Sequence, residues 1–222
     1  MSLQVAIDGP VASGKTAVGR VLARRLGARF LDTGTMYRAV AYVTIQREVS
    51  LDDDRALASL AEGLDIRLAL DDGEQSLMVD GVDVTEYLRS SDVEARVSRV
   101  SEVSGVRRAL VAQQRTVAGD GSTGIVMVGR DIGTVVLPDA PVKVYLEASL
   151  QIRARRRLDE LRRKGDLRDP DQLAEDIALR DKIDSERSDS PLRPAVDSVR
   201  VDTYGLRIDQ VVGRIQELIE QL

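Results

Sequence analysis

Apolar residues recur along this chain in two patterns. Short, nearly unbroken apolar runs at Leu3–Asp8, Ile125–Val128 and Val142–Leu146 read as buried strands of a parallel sheet, and Arg29–Asp32 and Ser198–Val201 as two further short strands. Between them apolar positions return at helical spacing. This predicts helices over Ala17–Leu26, closed by Gly27, over Gly34–Glu48 with Met36, Val40 and Val43 on one face, and over 91–102 and 104–118. Further helices are expected from Ser149 to Lys164, with Gly165 ending the run, from Pro170 to about Arg187, and over Leu206–Leu222. A shorter helix over Asp53–Leu60 has Ser50 as its expected cap. One stretch breaks the rhythm. Asp65–Leu70 alternates, and Leu77–Val79 and Val82–Val84 flank Asp80-Gly81, a hairpin signal.

Strands alternating with helices predict an α/β fold, a central parallel sheet flanked by helices, with its ligand at the carboxyl ends of the strands. The antiparallel stretch at about 63–85 reads as an insertion. No apolar run approaches the roughly 20 residues of a membrane span, and Met1–Asp8 lacks the basic-then-apolar order of a signal peptide. The expectation is a cytoplasmic protein.

Composition narrows the chemistry. Cys 0 excludes thiol catalysis and cysteine-held zinc, and His 0 removes the commonest general base and metal ligand. What remains is carboxylates, hydroxyls, Lys, Arg and a metal held by oxygen, a set that suits phosphoryl transfer. A net charge of −5, with Trp 0 and Phe 1, argues against nucleic acid as a partner.

The candidate chemistry begins after the first strand. Gly9-Pro10-Val11-Ala12-Ser13-Gly14-Lys15-Thr16 has the spacing G-x-x-x-x-G-K-[ST] of a phosphate-binding loop between a strand and a helix. Glycines let backbone N–H groups turn toward phosphate oxygens, and the helix adds the positive end of its dipole. Lys15 suits the β- and γ-phosphates, and the Thr16 hydroxyl suits Mg²⁺. The chain is therefore expected to bind ATP or GTP.

Four more segments are candidates for an acceptor site. Asp32-Thr33-Gly34-Thr35-Met36-Tyr37-Arg38 follows the second strand, and Gly129-Arg130-Asp131-Ile132-Gly133-Thr134 follows another. Arg153, Arg156 and Arg157 share a helical face, which reads either as a solvated surface or as a triphosphate contact. Arg180, Asp184 and Arg187 form a further stripe, either a surface ion-pair ladder or a functional group.

Together these segments resemble the bacterial cytidylate kinases. The resemblance rests on Ile7-Asp8-Gly9-Pro10 with Ser13–Thr16, on Asp32–Arg38, on Gly129–Val136 with Pro138–Lys143, and on Arg180-Asp181 with Asp184-Ser185 and Arg187. It covers almost the whole chain and implies a P-loop NTPase fold and the reaction ATP + (d)CMP → ADP + (d)CDP, with Mg²⁺. It implies a core of 1–32, 119–152 and 190–222, a monophosphate-binding subdomain at about 33–118 and a lid at about 153–170; nothing in the sequence demands a dimer, and a monomer is expected. By the same resemblance Arg38, Arg130 and Arg187 clamp the CMP phosphate. Asp32 and Thr33 bind CMP, and Ser98, Arg107 and Asp131 read cytosine, with Ser101 as the rival to Ser98. Arg180 and Asp184 touch the sugar. Lid arginines, Arg153 and Arg157 among them, act with Lys15 on the transferring group. Val128 stands where the family carries Asp or Glu. The competing readings are another P-loop small-molecule kinase, for uridylate, shikimate or dephospho-coenzyme A, and a non-catalytic nucleotide-binding regulator. The latter lacks the guanine-reading Asn-Lys-x-Asp string.

Overall fold

The computed structural model describes residues 2–71, 74–120, 123–163 and 165–222. In chain order its elements are β1 (Gln4–Asp8), α1 (Lys15–Leu26), β2 (Arg29–Asp32), α2 (Thr33–Gln46), α3 (Asp54–Gly63), β3 (Ile66–Asp71), β4 (Glu74–Val79), β5 (Val82–Asp83), α4 (Ser91–Glu102), α5 (Ser104–Gly119), β6 (Ile125–Gly129), β7 (Val142–Glu147), α6 (Leu150–Arg163), α7 (Pro170–Glu186), β8 (Val199–Asp202) and α8 (Ile208–Glu220). The strands and helices expected from periodicity are all present, with ends moved by a residue or a few. The chain divides into two compact units, Met1–Leu31 with Gly121–Leu222, and Asp32–Asp120.

The first unit holds a five-stranded sheet in the order β2-β6-β1-β7-β8. β1 lies in the middle, parallel to β6 on one side and β7 on the other. Its residues are buried on both faces, so the run is continuously apolar rather than alternating. Val5, Ile7, Val126, Val144 and Leu146 pack with Val18 and Leu22 of α1 and Val211, Val212 and Ile215 of α8. Close approach of α1 to the sheet requires Gly19. A Cβ there would lie 2.5 Å from Cγ1 of Val128 and 2.9 Å from the Phe30 ring. Val128 is thus a core residue facing α1, and a carboxylate at this position would be buried among hydrocarbon.

The second unit holds α2 to α5 and a three-stranded antiparallel sheet, β3-β4-β5. Asp80 and Gly81 turn between β4 and β5 with φ of 49° and 82°, the left-handed pair that a two-residue hairpin uses. Two local features depart from expectation. The cap of α3 is Asp53, whose carboxylate accepts from the amide of Ala56, whereas the Ser50 hydroxyl accepts from Asp52 in the preceding turn. A π-helical turn, Ile132–Val136, follows β6, where the sequence pattern predicted no helical element. Its stray backbone bonds are satisfied by an acid distant in sequence, Asp8.

Candidate active site

The loop between β1 and α1 has the shape its residues require. Gly9 has φ 149°, and a Cβ there would meet the Leu146 carbonyl oxygen at 2.2 Å. Gly14 precedes α1 in the left-handed region at φ 99° with no side-chain cap, so the helix offers its first amides to the loop. Lys15 is buried and folds back over the loop, its Nζ 2.6 Å from the Pro10 carbonyl and 3.3 Å from Ser13 Oγ. Two arginines of α6 hold the outside of the loop. Arg153 donates to the Val11 and Ala148 carbonyls at 3.2 and 3.0 Å and pairs with Asp181 of α7 at 2.6 Å. Arg156 reaches Ser13 O at 3.5 Å and Thr203 Oγ1 at 2.9 Å. Arg153 is only 6% exposed, so it shapes the loop from behind rather than swinging above it. Arg157, on the same helix, pairs with Glu160 at 2.9 Å.

A second cationic group gathers around Asp184. Its carboxylate, 1% exposed, receives Arg130 Nε at 2.8 Å, Arg187 Nη1 at 3.5 Å and Arg180 Nε at 3.7 Å. Burial raises the Asp184 pKa, but the fields of the three arginines and the Arg130 hydrogen bond outweigh it and hold the carboxyl below its ordinary value. One carboxylate against three guanidiniums leaves positive charge that suits a phosphate. The chain then turns back, with Arg187 Nε on the Ser190 carbonyl at 2.7 Å and the Leu192 amide on the Asp184 carbonyl at 2.7 Å.

Arg130 and Asp131 project from the turn after β6. Asp131 is buried and starts the π-helical turn, its carbonyl accepting from Val135 and Val136. Asp8, at the end of the neighbouring β1, grips the same turn. Its Oδ1 accepts the Ile132 amide at 2.8 Å and its Oδ2 the Gly133 amide at 2.7 Å.

The remaining candidates belong to the second unit. Asp32 caps α2 through the Gly34 amide, and Thr33 is buried in its first turn. Arg38 pairs with Glu94 at 3.0 Å and lies near the Leu88 carbonyl at 3.4 Å. Arg107, 1% exposed, places its guanidinium 5.2 Å from the Tyr37 ring and donates to the Ser101 carbonyl at 3.2 Å. The Ser101 hydroxyl is itself engaged by the Ser98 carbonyl at 2.7 Å, whereas Ser98 is only half-buried.

The structure thus unites Arg130, Arg180, Asp184 and Arg187, and sets Arg153 and Arg156 against the phosphate loop. Asp8 and Asp181 stand in the motifs of the resemblance, but their anchoring contacts are seen only in the structure. For Asp8 one signal existed, a carboxylate closing an otherwise apolar buried strand.

The family model for cytidylate kinase matches residues 5–221. A cytidylate kinase of Geobacillus sp. is 46% identical over 220 residues, covering 99% of this chain and 97% of that protein. The cytidylate kinase of Rhodococcus opacus is 47% identical, covering 99% and 96%, and that of Bacillus subtilis is 43% identical, covering 99% and 97%. Among solved structures, a gluconokinase from Sinorhizobium meliloti aligns with TM-score 0.51 at 13% identity over 99% of this chain and 92% of that one, a likeness of fold alone. With its phosphate loop and arginine cluster in place, and with matches of this strength running end to end, the chain belongs to the cytidylate kinase family.

Proposed function

We propose that this chain transfers the γ-phosphate of ATP to CMP or dCMP, releasing ADP and CDP or dCDP. The observation that carries this reading is the Asp184 cluster, a buried carboxylate surrounded by Arg130, Arg180 and Arg187, in a member of this family. The donor phosphates lie along the loop amides and Lys15. Mg²⁺ fits the residues present. Among the described residues no group of three or more acidic, His or Cys side chains forms a metal cage, so the ion would be held by the Thr16 hydroxyl and the nucleotide's own phosphate oxygens. Bound there, Mg²⁺ supplies charge neutralisation on the β- and γ-phosphates.

Arg38, Arg130 and Arg187 bind and orient the acceptor phosphate, with Asp184 holding Arg130 and Arg187 in place; Arg180 and Asp184 also face the sugar. Asp131 accepts from the cytosine amino group, and Arg107 and Ser98 donate to its acceptor edge. Ser101 is the rival to Ser98 for this contact, and its hydroxyl donates to the Ser98 carbonyl. Asp32 and Thr33 complete the monophosphate contacts. Arg157 acts on the transferring phosphate. Arg153 serves by holding the loop through Val11. The anionic acceptor needs no strong base, consistent with His 0.

The test is a coupled ADP-release assay with ATP and Mg²⁺ against CMP, dCMP, UMP, AMP, GMP, shikimate and dephospho-coenzyme A. Fast turnover of CMP and dCMP, slow turnover of UMP and none of the others is expected. Uracil presents an acceptor where Asp131 needs a donor, and a buried mismatch costs about 1–3 kcal/mol, roughly tenfold or more in rate. Absence of turnover with CMP would refute the proposal.

A further inference from the structure

Asp8 is a buried acid to which the substrate contacts proposed above give no task. It lies on the central strand, in register with Gly129 of β6 and Tyr145 of β7, and is 4% exposed. Both carboxylate oxygens point across the sheet end to consecutive amides, Ile132 at 2.8 Å and Gly133 at 2.7 Å. Those amides begin the π-helical turn whose preceding residues are Arg130 and Asp131. Gly133 leaves little room for a side chain, since a Cβ there would lie 3.2 Å from Lys143 Cδ and 3.4 Å from Asp8 Oδ2. Lys143 is itself fixed by Asp197 at 2.6 Å.

We propose that Asp8 is a positioning residue of the acceptor site, its ionised carboxylate holding the turn that aims Arg130 and Asp131. The proposal rests on the reading of those two residues as CMP contacts. Two parallel acceptors fit two parallel amides only while the group is ionised. On protonation one oxygen becomes a donor and one amide loses its partner. The charged groups that face Asp8 are Asp131, which disfavours its charge, and Lys15, which favours it; Tyr145, in register on β7, is titratable but uncharged at these pH values. Burial is the largest influence, and despite the two amides it pushes the Asp8 pKa up to about 6. Ionisation at neutral pH is therefore achieved with little margin, and the turn loosens in mild acid.

The experiment compares the full-length wild type with Asp8→Asn, which keeps the shape but offers one acceptor oxygen and a clashing amino group. At about pH 8, kcat/KM for CMP falls by about tenfold or more, while affinity for a non-hydrolysable ATP analogue changes by less than about threefold. As pH drops through about 6, the wild-type-to-variant ratio of kcat/KM shrinks toward one, because protonated Asp8 resembles Asn. The CMP phosphate titrates near the same pH, but it does so for both enzymes and cancels in the ratio. A ratio flat with pH, or an equal loss of ATP-analogue binding, overturns the proposal. If Asp8→Asn does not fold, or if the wild type turns over no CMP and the kinase reading falls, amide NMR of the nucleotide-free wild type decides the matter. The Ile132 and Gly133 amide shifts follow one titration centred near pH 6 if Asp8 holds the turn as described; shifts that stay constant overturn it.

Discussion

Replacing Asp184 with Asn removes the single negative charge on which Arg130, Arg180 and Arg187 converge. Breaking a buried ion pair by deleting one partner costs about 3–5 kcal/mol. The Asp184 side chain is 2% exposed and that of Arg187 6%, but those of Arg130 and Arg180 keep 20% and 25% of their surface in water, which relieves part of the resulting repulsion. The lower end of the range, about 3 kcal/mol, is the expected loss. For a chain of this size that is a fall in Tm of about 6–12 °C. The pH dependence has a definite sign. The native carboxyl titrates below its ordinary 3.8, so its stabilisation is complete above that value and is lost as pH falls through the lowered native pKa. Thermal melts of both proteins should therefore differ fully at pH 7, and the gap should close in strong acid. The same variant should raise KM for CMP, because the arginines lose their common anchor. A Tm difference below about 2 °C at pH 7, or a gap unchanged in acid, would refute the assignment of Asp184 as the counter-charge of the cluster.

Other outcomes follow from the same geometry. Arg130→Ala should lower kcat/KM for CMP by about 10²–10³ with ATP affinity retained, as loss of one donor to a transferring group does; steady-state kinetics with each substrate varied check this. The pH dependence of stability that Asp8→Asn removes should run opposite to that of Asp184→Asn. A raised pKa favours the folded state at low pH, and that contribution is lost as pH rises from 3.8 through about 6. Urea unfolding should thus show wild type losing about 3 kcal/mol relative to the variant across that interval. Gly19→Ala should destabilise by about 1–3 kcal/mol through overpacking against Val128 and Phe30, and trimming Val128 to Ala in the same chain should recover part of the loss, both read by denaturant midpoint.

Local physics made much of this protein legible from its residues. The spacing of Gly9, Gly14, Lys15 and Thr16 specifies a phosphate loop because only glycine tolerates the backbone angles at those turns. The apolar runs of β1, β6 and β7 specify buried parallel strands, and Asp80-Gly81 specifies its hairpin, because each depends on neighbours within a few residues. The Arg180–Asp184–Arg187 stripe was legible as a helical face for the same reason. What a stripe cannot reveal is depth. Solvated, it would be a weak ion-pair ladder; with Asp184 enclosed and Arg130 brought in from 54 positions away, it becomes a cationic cluster. The same holds for Arg153 and Arg156. Sequence spacing put them on one face, but only packing of α6 against the loop turned Arg153 inward to Val11. It holds most clearly for Asp8 and the turn at Ile132 and Gly133, separated by 124 and 125 positions. The sequence determines which residues can make an element and which chemistry they carry. The tertiary structure decides which charges share one dry site, because burial and distance between remote segments set the strength of their fields.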